Sequence, residues 1–369
     1  MSVHPAYKVL LLLISVVLVS LIIFNSIPYT VVLKPLAVYH VGKWSAVGKE
    51  CGATHANTGI NTVSYGNENI SREIHDEQEA TDRTEIPVQG RVTAKIAITE
   101  RVTRGRLSNC SLADIRKRSG VVLLTTTNFA FLDMTLNMIE SIKRAGLCVN
   151  TTVIAEDQKC HQYLKERVRD DPAVHVIMTS SGETKSQLIR RYTREFFRFF
   201  NKRQAYILAL LEQGLDVLFT DSDTFWFRDP FPYFRGDFDM SMMDSKSPYP
   251  TRAENANFCA GFAYYKSTAV TIRFVKAWIQ TMENNEKAGK IRADQGVMNS
   301  LLRSDDPVHV HVQPLDINLF PSGPKFYSLL AKQANYSAIV MHAASIRGHE
   351  AKIEKFKSSN MWLVNITTG

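Results

Sequence analysis

Two aspartates stand two residues apart at the end of an apolar run, Gly214-Leu-Asp-Val-Leu-Phe-Thr-Asp221-Ser-Asp223, with Thr-Phe-Trp-Phe-Arg-Asp229-Pro230 behind them. In extended chain such residues project to one side, so both carboxylates converge on one point. Hard oxygen ligands of this kind suit Mg2+ or Mn2+. An ion held there bridges a diphosphate and offsets charge on a departing nucleotide. A bare Asp-x-Asp is ordinary in turns, but behind a buried strand it reads as a metal site. Asp229, before a proline, reads as a turn residue.

A second group lies near the C-terminus, in Ile339-Val-Met-His342-Ala-Ala-Ser-Ile-Arg-Gly348-His-Glu-Ala-Lys352. His342 ends a short strand, Gly348 permits a tight turn, and Lys352 follows on a polar helix. A neutral imidazole can complete a carboxylate metal site, and a lysine offers a point charge to phosphate. Taken alone, a strand-end histidine is more often structural.

The elements that must position these groups begin at Gly120. Strands are expected at 121–125, 151–155, 174–178 and 215–220, and helices at 131–144, 158–168 and 186–213, the last as one helix or two. Strand–helix alternation of this kind implies a parallel, doubly wound α/β sheet that binds ligands beyond its carboxyl edge. The second half is more mixed, with strands expected at 239–243, 261–265, 308–312 and 338–341 and helices at 268–282 and 293–302.

The segments 124–133, 211–230, 257–266, 294–295 and 340–362 resemble, in the same order, the nucleotide-diphospho-sugar transferase family, which includes plant rhamnogalacturonan α-xylosyltransferases. The resemblance covers roughly residues 119–365, and the stretch from Leu211 to Pro230 is its most specific part. It implies a glycosyltransferase type A fold, a UDP-sugar donor, a Mn2+-type ion (or Mg2+) and retention at the anomeric carbon. It places Asp221 and Asp223 at the catalytic centre with His342 as third metal ligand, and Lys352 near the diphosphate. Thr126, Thr127 and Asn128 follow the first strand, where such folds bind the nucleotide, although an Asn-containing turn explains them equally. Asp294 and Gln295 would face donor sugar or acceptor, with helix capping as the plainer role for Asp294. Asn257 and Gly261 open a strand beside the site, where a glycine allows close approach of the sugar.

Two rivals follow from the same residues. Asp-x-Asp after a strand also resembles haloacid-dehalogenase phosphatases, but there the motif ends the first strand of the domain, and here three strands precede it. A nucleotide-sugar or glycan-binding protein without turnover is the other.

The 369 residues are 45% hydrophobic and 22% charged, ordinary values for a globular chain. Residues 1–8 read as a cytoplasmic tail and 9–27 as an uncleaved membrane anchor: the apolar run from Val9 to Phe24 follows Lys8, which keeps the tail inside. Residues 28–118 read as a flexible lumenal stem and 119–369 as the catalytic domain. Sequons at Asn69, Asn109, Asn150, Asn335 and Asn365 agree with a lumenal, Golgi-type address. The acceptor would then be a glycan, glycoprotein or glycolipid. The net charge of +8 suits anionic nucleotide diphosphates, acidic glycans or lipid head groups; nucleic acid is not an expected partner in that compartment.

Of five cysteines, Cys148 and Cys160 flank one strand and are the expected disulfide, while Cys259 reads as a small core residue. Arg190, Arg194, Arg198 and Lys202 recur every four residues as a basic stripe on one helix, with Tyr192, Phe196, Phe199 and Phe200 on its buried face.

Overall fold

The computed structural model describes residues 110–190, 193–244, 257–304, 308–333 and 335–365. The expected tail, the anchor at 9–27, most of the stem, and the asparagines Asn69 and Asn109 lie outside the described residues. Among the described residues no helix is long and apolar enough to cross a membrane.

The first half alternates strand and helix. It comprises α1 (Leu112–Arg116), β1 (Val121–Thr127), α2 (Leu132–Arg144), β2 (Asn150–Ala155), α3 (Gln158–Arg167), β3 (Val174–Met178), α4 (Arg194–Phe200), α5 (Arg203–Leu211) and β4 (Asp216–Thr220). The second half holds β5 (Thr224–Trp226), β6 (Met240–Asp244), β7 (Phe258–Tyr265), α6 (Ala269–Lys287), α7 (Asp294–Leu302), β8 (Val312–Leu315), α8 (Gly323–Lys332), β9 (Val340–His342) and α9 (His349–Ser358).

Seven strands form one sheet in the order β3-β2-β1-β4-β7-β6-β8. The four N-terminal strands are mutually parallel, β7 runs against β4 and β6, and β8 is again parallel to β6. The sheet is therefore mostly parallel with one opposed strand, as the alternation predicts. Successive residues of the central strands face opposite sides. Leu123 and Leu218 pack with α2 and α3, while Val122, Leu124, Val217 and Phe219 pack with α5, α6 and α7. Strands buried on both faces carry near-continuous apolar sequence for this reason.

A two-stranded ribbon, β5 against β9, lies beside the main sheet and pairs Thr224 with His342. It sits on a third cluster that includes Phe225, Met341, Phe326 and Phe356. Neither β5 nor α8 is expected from the sequence. The former is only three residues long, and the latter opens on Gly323-Pro324, which resembles a turn.

Several expectations are corrected. The disulfide joins Cys110 to Cys148, with Cα atoms 5.4 Å apart, and Cys160 is a buried free thiol on α3. Cys148 and Cys160 flank opposite ends of β2, and a six-residue strand spans about 20 Å, too far for a bridge. Burial pushes the Cys160 thiol upward, so it stays protonated. The disulfide and α1 attach residues 110–118, assigned above to the stem, to the α/β layer. The strand expected at 308–312 forms instead at Val312–Leu315. It includes Pro314, which an edge strand tolerates because it needs no donor on its open side. The helix expected from residue 186 begins at Arg194, capped by Thr193, and breaks at Asn201–Lys202 into α4 and α5. The basic stripe is thereby dissolved. Arg198 forms an exposed pair with Glu286 at 2.8 Å, whereas Lys202 turns inward to the fully buried Glu156 at 2.9 Å.

Candidate active site

Asp221 and Asp223 bracket the tight link between β4 and β5. Hydroxyls close this link: Thr224 Oγ1 donates to the carbonyl of Asp221 at 3.1 Å and lies 2.9 Å from Thr220 Oγ1. The Trp226 indole donates to the same Thr224 oxygen at 3.0 Å and is buried in the core. The turn is therefore held by packing behind it, and the two side chains are left at the carboxyl edge of the sheet.

His342 arrives from the facing strand. The β5–β9 register and the bond from the Ala343 amide to the carbonyl of Asp223 fix its place. Its Nε2 lies 3.1 Å from Asp223 Oδ1 and 3.5 Å from Asp221 Oδ2. One ligand atom from each of the three residues falls within 4.8 Å of the others. The Cys259 sulfur lies 3.4 Å from His342 Nδ1. With Nδ1–H facing that sulfur, the Nε2 lone pair points to the carboxylates, the tautomer a metal ligand needs. Cys259 is buried, as expected, but it also orients the histidine.

Gly261 makes the approach possible. A Cβ there would sit 2.2 Å from Asp221 Oδ2 and 2.5 Å from His342 Cε1. The same glycine accepts from the Asp221 amide through its carbonyl at 2.7 Å. Two carboxylates and one imidazole, converging in a pocket kept clear by a glycine, fit a hard divalent cation such as Mn2+.

Fixed cations surround this centre. Lys352, one turn into α9, donates to Asp223 Oδ2 at 2.5 Å. Arg203, the first residue of α5, reaches Asp221 Oδ1 at 3.0 Å and grips Asp294 Oδ2 through Nε at 2.5 Å. Gln204 Nε2 donates to the same Asp294 oxygen at 2.8 Å. Arg203 is buried, stacked over Phe219 and Phe200, and nothing in the sequence marks it beyond its place in a basic run. The break between α4 and α5 sends two consecutive cations apart, Lys202 to Glu156 and Arg203 to the site.

The electrostatics follow from burial and these partners. Burial raises the Asp221 carboxyl above its usual range, outweighing Arg203 and His342. Burial acts the same way on Asp223, but Lys352 and His342 override it and hold that carboxyl well below the usual range. His342 is desolvated, yet the Asp223 carboxylate raises it well above an ordinary imidazole. Burial likewise raises Glu156 despite Lys202.

The remaining candidates are distributed around the same edge. Asp294 begins α7 and is buried; it does not cap the helix, because Ala293 is the N-cap. Gln295 Oε1 accepts from the Ala260 amide at 3.2 Å and Asn299 pairs with the Phe258 backbone, tying α7 to β7. Asn257 immediately precedes β7. The β1–β4 register ends with Leu124 opposite Phe219, so Thr126 lies past the last paired residue, at the carboxyl end of β1. Thr127 bonds Thr135 at 2.8 Å, and the Asn128 amide donates to the carbonyls of Lys185 and Gln187, so these two side chains also hold the turn and the 179–190 loop. Asp229 caps its turn at the Phe231 amide, as expected, and pairs with Arg118.

The family model for nucleotide-diphospho-sugar transferases matches residues 146–356, and the chain belongs to that family. It is a glycosyltransferase. Relatives include a UDP-galactose:fucoside alpha-3-galactosyltransferase of Dictyostelium discoideum, 25% identical over 68% of this chain and 44% of that protein. A UDP-D-xylose:L-fucose alpha-1,3-D-xylosyltransferase of Arabidopsis thaliana is also 25% identical, over 67% of this chain and 71% of that one. The match thus spans less than half of the Dictyostelium enzyme's length. The galactosyltransferase LgtC, solved with donor and acceptor sugar analogues, superposes with a TM-score of 0.46 at 12% identity, over 67% of this chain and 98% of that one.

Proposed function

We propose that this protein transfers a sugar from a UDP-sugar to a fucose-bearing glycan or glycoconjugate, forming an α linkage with retention at the anomeric carbon. The observation that carries the reading is the convergence of Asp221, Asp223 and His342 at the end of a buried strand, with Gly261 cleared for them. The mostly parallel sheet and its carboxyl-edge site support a type A glycosyltransferase fold. The two relatives named above differ in their donor sugar and share fucose as acceptor, which makes the acceptor the firmer half of the assignment.

Asp221, Asp223 and His342 would hold a Mn2+ or Mg2+ ion, whose chemistry is to offset the charge of the diphosphate. Lys352, already within bonding distance of Asp223, supplies a second positive charge on the side of the leaving group. Arg203 holds Asp221 and Asp294 in fixed orientation, which positions the sugar-facing wall without a nucleophile. Thr126 stands where the nucleotide would enter, and Gln295, Asn257 and Gly261 border the sugar. The N-terminal apolar run would anchor the chain in the Golgi membrane with this domain in the lumen.

The test is incubation with Mn2+, UDP-galactose or UDP-xylose, and a methyl fucoside. The expected outcome is an α-linked disaccharide and free UDP, both abolished by chelator. Binding of UDP without turnover on any donor would reduce the protein to a nucleotide-sugar binder. Release of inorganic phosphate from phosphomonoesters would instead favour the phosphatase chemistry.

A further inference from the structure

Two sequons fall wholly within the described residues, and the fold treats them very differently. Asn150-Thr-Thr152 opens β2, an inner strand paired with β1 on one side and β3 on the other. Its asparagine is paired with Val122, and the Asn150 amide oxygen is buried without a hydrogen-bond partner. Thr151 and Thr152 are buried as well. Asn150 itself is half-buried, but its backbone is fixed in the sheet and the acceptor hydroxyl residue Thr152 is buried, so this sequon is not offered from an exposed turn.

Asn335-Tyr-Ser337 is the opposite case. It lies in the connection from α8 to β9, where the Tyr336 amide closes a turn on the carbonyl of Gln333 at 3.0 Å. Asn335 and Ser337 are both exposed, and Asn335 sits in the turn itself. The turn is nevertheless well fastened. The Tyr336 hydroxyl donates to the Asn318 carbonyl at 2.7 Å, and Arg228 donates to the carbonyl of Ser337 at 3.2 Å. None of these bonds uses the side-chain amide of Asn335. The asparagine is thus offered to solvent from a fixed base, with the hydroxyl of Ser337 two residues on, as the acceptor pattern requires. Asn365 is exposed too, but its Thr367 lies outside the described residues.

We infer that Asn335 carries an N-linked glycan and that Asn150 does not. The inference rests on the lumenal reading above, because the donor, a lipid-diphosphate-linked oligosaccharide, meets the chain only in the secretory lumen. In the transfer the Asn335 Nδ2 forms a C–N bond to the anomeric carbon of the oligosaccharide. The bond from that carbon to the lipid diphosphate breaks, and the amide proton leaves to water. The bulky hydrophilic product stands off the turn, whose bonds run to Gln333, Asn318 and Arg228 and not to Asp221, Asp223 or His342. It shields the α8–β9 connection without entering the site.

The experiment is expression of the full chain in a eukaryotic secretory cell, enzymatic removal of N-glycans in heavy-oxygen water, and peptide mapping of the isotopic mark on each released asparagine. The mark is expected at Asn335 and absent at Asn150. Asn335→Gln and Ser337→Ala should each remove one glycan's step in electrophoretic mobility and leave sugar-transfer activity unchanged. An unmarked Asn335, with a mark at Asn69, Asn109 or Asn365, overturns the inference while leaving the lumenal address intact. A mark at Asn150 on folded, active protein overturns it too. If no sequon is marked, the lumenal reading fails, and the full chain is expressed again behind an added cleavable secretion signal. There a marked Asn335 sustains the site, and an unmarked one removes it.

Discussion

At the scale of single residues, the site depends on groups that differ in charge and in replaceability. Asp221→Asn or Asp223→Asn removes a hard anionic ligand, and each is expected to lower turnover by more than about a hundredfold while the protein stays folded, as circular dichroism would show. His342→Ala removes a neutral ligand that contributes less; activity should fall and be partly restored by excess Mn2+. The imidazole must shed its proton before it can coordinate, and Asp223 raises its pKa, so metal affinity should increase as pH climbs through that raised value. Titration calorimetry at two pH values checks the sign: equal affinity at both would remove His342 from the ligand set. Gly261→Ala tests the geometry without altering a ligand. Its methyl would sit 2.2 Å from Asp221 Oδ2 and must push that carboxylate aside. Loss of Mn2+ binding is expected with an unchanged fold; native binding would mean the strand shifts freely. The two aspartates were legible because spacing in an extended strand dictates where side chains point. Arg203 was not, because its role arises from a helix break that no local pattern marks, and Cys259 was not, because its neighbour His342 is 83 residues away.

At the scale of elements, long periodic segments were legible and short ones were not. Strands β1 to β4 and helices α2, α3, α6 and α7 declare themselves through continuous apolar runs and helical spacing. Ribbon strand β5 exists only because β9 pairs with it and Trp226 is buried beneath, which is tertiary information. The disulfide belongs to the same class, since Cys110 and Cys148 stand 38 residues apart and only the fold brings them together. A fragment beginning at Arg118 would discard Cys110 and leave Cys148 unpaired. A closed loop of 38 residues contributes about 3 to 4 kcal/mol on a chain-entropy view. The fragment starting at Arg118 should therefore melt at a lower temperature than one starting a few residues before Cys110. Matching the effect with Cys110→Ser in the longer fragment assigns it to the bridge. Equal melting of all three would leave residues 110–118 a mere extension of the stem. Buried Lys202 and Glu156 make a second test of an element junction. Glu156→Gln leaves the lysine without its counter-charge and should destabilise the fold by about 3 kcal/mol in denaturant unfolding.

At the scale of the whole domain, the site recruits residues from Arg203 on α5, Asp221 and Asp223 after β4, Gly261 on β7, Asp294 on α7, His342 on β9 and Lys352 on α9. These elements contact both faces of the sheet and the β5–β9 ribbon, so anything bound at the centre bears on all of them at once. A ligand that binds only the folded state adds RT ln(1 + [L]/Kd), about 2.7 kcal/mol at a hundredfold excess over Kd. For a domain of this size each kcal/mol moves Tm by about 2 to 4 °C, so Mn2+ with UDP should raise the melting temperature by about 5 to 10 °C. The rise should appear in one cooperative transition, because both halves of the fold supply ligands. Asp223→Asn should abolish the shift, while Arg198→Ala, which removes only an exposed pair with Glu286, should leave it intact. If Mn2+ and UDP instead sharpen or displace only part of the unfolding curve, the halves unfold separately and His342 does not close the site. If the Asp223→Asn protein is stabilised as much as the native one, the ion and nucleotide bind elsewhere, and the reading of this edge as a donor site is lost with it.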